Sequence, residues 1–145
     1  MAPQGRSPVP MKILLVVGLP ASGKTRFAQE CAQREGLEFL DDPPAGFPLR
    51  EFIRRSVRGV VIADPHLCCS KVRDTALELF QEECPVATIE FVYFENDPAA
   101  CLDNMRRRQA AGDARKVEDM IRITSRHYKI PSGALILPVW RPATG

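Results

Sequence analysis

A chain of 145 residues has room for one domain, and its 45% hydrophobic and 26% charged residues are typical of a globular protein. No apolar run approaches the ~20 residues of a membrane span and no secretory signal precedes the first apolar stretch, so we expect a cytoplasmic protein with no membrane partner. The net charge of +2 and the five cysteines without a C-x-x-C pair give no indication of a strongly basic nucleic-acid binder, a disulfide framework or a zinc site.

The chain begins with a polar stretch and then becomes apolar. Residues 1–10 contain three prolines and no apolar periodicity, which predicts a disordered leader. The apolar run from Lys12 to Val17 predicts a buried strand. We expect residues 11–145 to form a single domain.

A glycine-rich segment follows this strand and matches the pattern G-x-x-x-x-G-K-[ST] at every fixed position. The next residues, from Thr25 to about Arg34, predict a helix that ends at Gly36. A strand, a glycine-rich turn and a helix N-terminus direct several backbone N–H groups at one small volume, which suits a phosphate chain. The segment therefore predicts a site for ATP and Mg²⁺, in which Lys24 reaches the outer phosphates and the Thr25 hydroxyl binds the metal. The predicted nucleotide-binding residues of this phosphate loop are Gly18, Pro20, Ala21, Ser22, Gly23, Lys24 and Thr25.

Two adjacent carboxylates follow the second predicted strand. That strand covers residues 37–40, and Asp41 and Asp42 open a proline-rich turn over residues 41–48. A carboxylate within hydrogen-bond reach of an acceptor hydroxyl can take its proton. We favour Asp41 as this catalytic base and Asp42 as a contact of the acceptor, and a turn without a catalytic role is an almost equally good interpretation.

A third carboxylate ends the third predicted strand. The uninterrupted apolar run of residues 59–64 is typical of a strand buried on both faces of a parallel sheet. Its last residue, Asp64, is expected to bind the metal through water or to orient the substrate. Capping of the turn before Pro65 is an alternative role that is compatible with either.

The rest of the chain continues the alternation of amphipathic and apolar stretches. Further helices are predicted over residues 49–57, 70–83, 96–108 and 116–128, and further strands over residues 86–94 and 134–139. Val57 and Val72 are expected on the inner faces of their helices. The alternation predicts an α/β domain in which a parallel sheet carries helices on both faces. Ligands of such sheets bind beyond the carboxyl ends of the strands, where the phosphate loop and the three aspartates all lie.

Arginines near the end of the fourth predicted long helix suit the donor phosphates. Arg106 and Arg108, with Arg115 across a glycine-containing break, are expected to form a mobile lid over residues 106–116. Arg108 is the first choice for a catalytic role and Arg106 the second, with Arg115 in support. A solvated basic helix face is the alternative for at least one of the neighbouring arginines.

Two further arginines are predicted to bind the acceptor. Arg54 follows Asp42 on the next helix, and Arg73 follows Asp64 in the same way. Either guanidinium could bind an acceptor phosphate, and for each one a surface ion pair is at least as good an interpretation.

These features together resemble a known family. The phosphate loop, Asp41-Asp42 after a second strand, Val60-Val61-Ile62-Ala63-Asp64-Pro65-His66-Leu67 and the arginine-rich lid resemble the P-loop kinases of the phage-type polynucleotide kinase group and related zeta-toxin-like small ATP-binding proteins. The resemblance covers residues 12 to 128. It implies a three-layer P-loop NTPase fold with a five-stranded parallel sheet in the order 2-3-1-4-5. It also implies that Asp41, or else Asp42, activates a nucleic-acid 5′-hydroxyl, that Asp64 is the strand-end carboxylate and that Arg108 is the lid arginine.

The leading functional hypothesis is an ATP- and Mg²⁺-dependent kinase whose acceptor is a polynucleotide 5′-hydroxyl end. The segment between Asp42 and Asp64 is shorter than is typical of the family, so the acceptor stays open. One alternative is a small-molecule or nucleoside kinase with the same donor site. The other is a nucleotide-hydrolysing switch or ATPase. No oligomeric state is predicted.

Overall fold

The computed structural model describes residues 11–108 and 114–142. The strands are β1 (Lys12–Val17), β2 (Glu38–Asp41), β3 (Gly59–Ala63), β4 (Thr88–Phe94) and β5 (Ile136–Leu137). The helices are α1 (Lys24–Glu35), α2 (Leu49–Arg55), α3 (Ser70–Glu83), α4 (Pro98–Arg108) and α5 (Ala114–His127), and a short 3₁₀ helix spans Pro65–Cys68. The predicted leader over residues 1–10 lies outside the described residues, as does the middle of the predicted lid, residues 109–113.

The strands form one parallel five-stranded sheet in the order β2-β3-β1-β4-β5. This confirms both the parallel sheet expected from the alternation of elements and the strand order that the resemblance implied. Val16 of β1 stands opposite Ala63 of β3 and Val92 of β4, so the carboxyl ends of these central strands lie side by side. The loops that follow them therefore meet at one edge of the sheet.

Side chains alternate across the sheet and define two cores. Leu14 and Val16 of β1 pack with Ala28 and Cys31 of α1 on one face. Ile13, Leu15 and Val17 of β1 face the opposite core, which α2, α3, α4 and α5 cover with Ile53, Phe80, Cys101, Leu102, Met105 and Ile121. Helices on both faces explain why β1 and β3 are apolar along almost their whole length. None of the helices in the described parts of the chain combines the length and apolar character that a membrane span requires.

Several predicted boundaries and faces were wrong. Helix α2 ends at Arg55, because Ser56 turns out of the helix and its hydroxyl bonds to the Phe52 carbonyl. Val57 consequently lies in the following loop and is 89% exposed instead of facing the core. In α3 the buried positions are Arg73 and Phe80, and Val72 is exposed.

The ends of two strands also differ from the prediction. Strand β2 includes Asp41, which the sequence pattern placed just beyond it. The closing strand covers only two residues, Ile136–Leu137, because it pairs with the last part of β4 alone. Strand β4 begins at Thr88, two residues after its predicted start, where Thr88 N–H donates to the Met11 carbonyl.

Candidate active site

The phosphate loop closes tightly at the start of α1. Gly23 caps the helix with a φ of 97°, a backbone conformation that favours glycine. A Cβ atom at Gly18 would lie 2.7 Å from the Ser22 Oγ, and one at Gly23 would lie 2.7 Å from the Trp140 Cβ. A side chain at either position would therefore clash with its neighbours, and at Gly23 it would also be disfavoured by the positive φ. The Ser22 hydroxyl is buried without a hydrogen-bond partner among the described residues.

Lys24 is a buried cation in the first turn of α1. The residue is only 6% exposed, which is unusual for a charged side chain. Its Nζ donates to the Leu19 carbonyl over 3.4 Å. Burial lowers the pKa of Lys24, and the nearby carboxylates, with Asp41 the strongest, oppose that shift. A desolvated cation with one long hydrogen bond at a helix N-terminus is suited to bind an anion.

A cavity of about 370 Å³ opens in front of Lys24. It brings together seven of the predicted site residues: Pro20, Ala21, Lys24, Thr25, Asp41, Asp42 and Arg108. It also includes five residues that were not predicted: Pro65, Met105, Lys116, Val117 and Met120. The cavity therefore has a cationic side, an acidic side and an apolar wall from α4 and α5.

Asp41 and Asp42 lie at the junction of β2 with the cavity. The Thr25 Oγ1 donates to Asp41 Oδ1 over 3.1 Å, which ties the carboxylate to the start of α1. Asp42 has a φ of 41°, and its N–H donates to the Ala63 carbonyl over 2.7 Å. The Thr25 contact therefore holds the Asp41 carboxylate beside the phosphate loop, and the Ala63 contact holds the backbone of the turn at Asp42.

Asp64 follows β3 and caps the 3₁₀ helix. Its Oδ1 accepts from the His66 N–H over 2.8 Å and lies 2.8 Å from the His66 Nδ1. One possible ligand atom from each of Asp42, Asp64 and His66 falls within 4.8 Å of the others. Asp64 thus caps the turn before Pro65, which was the alternative role predicted for it. It also lies beside Asp42 and His66, with which it could bind a metal ion.

The three arginines of the predicted lid have different surroundings. Arg108 lines the cavity, whereas Arg106 pairs with Glu118 of α5 at 3.3 Å. Arg115 is exposed at the start of α5 and does not line the Lys24 cavity. Its neighbour Lys116 does, and the only sequence signal for Lys116 was its place beside Arg115 in the basic lid.

The two arginines predicted to bind the acceptor are engaged elsewhere. Arg73 is buried and donates to the carbonyls of Leu67, Cys68 and Lys129, so it holds the 3₁₀ helix and α3 against the segment after α5. Arg54 pairs with Glu83 at 2.9 Å and faces a separate surface pocket beside α2. The described structure does not bring either guanidinium into the Lys24 cavity.

Asn104 fastens the phosphate loop and was missed by the sequence analysis. It is buried in α4, and its Nδ2 donates to the Ala21 carbonyl over 3.0 Å and to the Trp140 carbonyl over 2.6 Å. Beside it, a cavity of about 440 Å³ lies between Gly23, Arg107, Arg108 and Trp140. An asparagine in a helix has no distinctive spacing, so only the folded chain identifies this role.

Solved structures of kinases have a similar fold. A gluconokinase from Sinorhizobium meliloti 1021 is 18% identical with a TM-score of 0.62, and the match covers 94% of this chain and 86% of that one. A sugar kinase from Janibacter sp. HTCC2649 is 17% identical with a TM-score of 0.62, covering 92% and 88%. The chain has the P-loop NTPase fold. A shikimate kinase from Bacteroides thetaiotaomicron shares this P-loop fold at 17% identity and a TM-score of 0.52, covering 89% and 86%.

Sequence relatives add less information about this P-loop protein. An uncharacterized protein, R277, of Acanthamoeba polyphaga mimivirus is 27% identical over 100 residues, which are 67% of this chain and 72% of that protein. No model of a known protein family matches the sequence. Membership of the polynucleotide kinase group stays a prediction.

Proposed function

We propose that the protein is an ATP- and Mg²⁺-dependent kinase that transfers the γ-phosphoryl group to the hydroxyl of a small molecule. The observation that carries the proposal is the cavity in which Lys24, Thr25 and Arg108 face Asp41 and Asp42. Phosphoryl transfer needs positive charge around the moving phosphoryl group and a group that takes the proton of the acceptor. This one cavity contains side chains of both kinds.

The proposed donor site follows the phosphate loop. The N-terminus of α1 and the Lys24 ammonium would bind the β- and γ-phosphates. The cavity between Arg108 and Trp140 adjoins the loop at Gly23 and suits the nucleoside, because planar guanidinium and indole groups can stack on a base. Arg108 lines both cavities and would therefore contact phosphate and nucleoside at once.

The residues present fit a magnesium ion. The Thr25 hydroxyl directly follows Lys24 in the chain and the charge of Asp64 acts on the Lys24 ammonium, so hard oxygen ligands of the kind that Mg²⁺ prefers lie beside the phosphate-binding lysine. Thr25 would bind the metal directly, and Asp64 would hold it through water. The ion, when bound, supplies charge neutralisation at the phosphate oxygens.

In the proposed reaction the acceptor oxygen bonds to the γ-phosphorus while the bond from that phosphorus to the bridging oxygen breaks, and ADP leaves. Asp41 takes the hydroxyl proton and later releases it to water. Lys24 and Arg108 stabilise the charge on the phosphoryl oxygens. Asp42 orients the acceptor, and Arg106 and Arg115 add positive charge near the donor side.

The surroundings of the other arginines favour a small acceptor over a polynucleotide. Arg54 is paired with Glu83, and Arg73 is buried against backbone carbonyls, so the two guanidinium groups predicted to bind an acceptor phosphate have other partners. The names of the similar structures, gluconokinase, sugar kinase and shikimate kinase, agree with a small hydroxyl-bearing acceptor.

The test is label transfer from γ-labelled ATP with Mg²⁺, run in parallel with a pool of small alcohols, with a 5′-hydroxyl oligonucleotide and without acceptor. Lys24→Ala serves as the inactive control. We expect the label in the pool of small alcohols. Label on the oligonucleotide would overturn the small-molecule acceptor, and label released only as phosphate in all three reactions would overturn the kinase itself.

A further inference from the structure

A second cavity adjoins the Lys24 cavity on its α5 side. It has a volume of about 460 Å³, and Pro65, Lys116 and Met120 line both cavities. A molecule placed in the second cavity can therefore direct one group at the carboxylates of the first. The volume falls within the range of about 300–1,000 Å³ that small-molecule sites occupy.

Helix α5 has two apolar faces, and only one of them is packed. Ile121 is fully buried in the core, with Val117 packed against the same core. Met120 and Ile123 lie on the other face, where they are 41% and 55% exposed and line the second cavity. Val72 of α3 completes this apolar wall and is also exposed. These side chains form a continuous apolar surface beside the proposed reaction centre.

The polar groups of this cavity are few and nearly balanced in charge. Among the described residues that line it, the formally charged side chains are Lys116 and Asp119. His66, Thr124 and His127 contribute hydrogen-bonding groups. A multiply anionic acceptor would leave charges without partners here, whereas an uncharged molecule with a few polar edge groups would be matched.

We propose that this cavity binds the body of the phosphoryl acceptor and that the acceptor is an uncharged alcohol whose body has an apolar face and a few polar edge groups, a description that nucleosides fit. The inference rests on the proposed kinase function and specifies its substrate. The apolar face of the acceptor lies against Val72, Met120 and Ile123, and its hydroxyl extends past Pro65 to Asp41 and Asp42. A sugar acid lacks an apolar face for this wall, and an oligonucleotide end adds phosphate charges that the single Lys116–Asp119 pair of formally charged lining residues does not match.

The first experiment compares acceptors and variants by steady-state kinetics. Thymidine and adenosine are the ring-bearing probes, and D-gluconate and a 5′-hydroxyl oligonucleotide are the polar ones. Ile123→Asp should raise the KM for the better nucleoside by about tenfold or more, and leave the KM for ATP within about twofold. The control is Val86→Asp, which introduces the same charge at an exposed valine before β4, outside both cavities, and should leave both constants unchanged.

A second experiment measures binding without turnover. Cys69 lines the cavity, so thymidine should slow alkylation of this thiol by N-ethylmaleimide in the absence of ATP. Cys84 lies outside the cavity and serves as the reference thiol, whose alkylation should not change. Folding of each variant is checked by its urea midpoint.

The possible outcomes distinguish a failure of the proposed acceptor class from a failure of the proposed kinase function. Transfer to gluconate with a normal KM in Ile123→Asp would overturn the acceptor class while the kinase function stands. Protection of Cys69 by thymidine without phosphoryl transfer to any probe would overturn the kinase function and support the ligand class. Cys69 alkylation that slows as the protein concentration rises, without thymidine, would show that a second copy covers the cavity and would overturn the inference.

Discussion

The hydroxyl of Thr25 donates a hydrogen bond to Oδ1 of Asp41 over 3.1 Å, and this contact joins the phosphate loop to the end of β2. The two residues come from different elements, which the parallel sheet brings to the same edge. The contact keeps a carboxylate beside the Lys24 ammonium, where its charge opposes the loss of the lysine proton. This hydrogen bond therefore connects a residue of the proposed donor site, Thr25, with the proposed base for the acceptor, Asp41.

Replacing this carboxylate tests its role as the base. Asp41→Asn preserves the shape of the side chain and its acceptor oxygen for Thr25, but it cannot take a proton. We expect kcat for phosphoryl transfer to fall by about 10²–10⁴-fold while the affinity for ATP is kept, as measured by kinetics and calorimetric titration. Asp42→Asn is the matched control and should mainly raise the KM of the acceptor. Full activity of Asp41→Asn would remove Asp41 from the mechanism.

Lys24 should be required for activity and dispensable for folding. Lys24→Met removes a desolvated cation, so the thermal midpoint should stay the same or rise. Transfer should fall by about 10²–10³-fold, because charge stabilisation of the phosphoryl group is lost. Thermal unfolding and transfer assays on the same preparation measure both effects. A marked fall in the midpoint with unchanged transfer would show that Lys24 is a structural residue.

Asn104 should stabilise the phosphate loop. Asn104→Ala leaves the Ala21 and Trp140 carbonyls without their donor, and we expect the free energy of unfolding to fall by about 1–3 kcal/mol. Asn96→Ala is the control, since it removes one exposed hydrogen bond to the Ser125 carbonyl and should cost less. Urea unfolding measures both. Equal effects of the two substitutions would contradict the role given to Asn104.

Substitutions of Arg73 and of Arg54 should have different effects on stability, measured by urea unfolding. Arg73→Met removes a guanidinium that donates to the Leu67, Cys68 and Lys129 carbonyls. The free energy of unfolding should therefore fall by about 3 kcal/mol. Arg54→Met removes an exposed ion pair and should leave the urea midpoint almost unchanged. A stable Arg73→Met protein with a raised acceptor KM would restore the role that the sequence predicted for Arg73.

The thiol of Cys69 should react at lower pH than those of Cys68 and Cys84. Backbone N–H groups of Val72 and Lys71 lower its pKa from the usual 9.0, so its thiolate forms at lower pH. Burial raises the pKa of Cys84 and raises that of Cys68 to about 12, which keeps those thiols protonated. The pH profile of iodoacetamide labelling, read by peptide mass spectrometry, should therefore show Cys69 labelled at lower pH than Cys68 and Cys84, and Cys69→Ser should abolish that early labelling. Earlier labelling of Cys84 would contradict the geometry at the start of α3.

Local sequence patterns predicted most of the fold. A strand buried on both faces must be apolar throughout, and a glycine must stand where the helix start needs a φ of 97°, so β1, β3 and the phosphate loop have clear signals. The neighbours of each strand are a long-range property, and their order came from the family resemblance and not from spacing.

The site residues contributed by α4 and α5 were harder to predict. Asn104 and Met120 gain their roles from contacts across the fold, to the Trp140 carbonyl and to the cavity beside Pro65, which no local pattern records. Arg73 was predicted to bind the acceptor for a similar reason. Its carbonyl partners, which allow a charged side chain to occupy a buried helix position, become its neighbours only in the folded chain.

The most direct test of the kinase is a product balance. The protein is incubated with ATP, Mg²⁺ and thymidine, and ADP, free phosphate and phosphorylated thymidine are quantified by ³¹P NMR and mass spectrometry, with Lys24→Met as control. Our account predicts that one phosphorylated acceptor forms for each ADP and that the control forms neither. ADP that appears together with an equal amount of free phosphate, at a rate that no small alcohol or oligonucleotide changes, would contradict it.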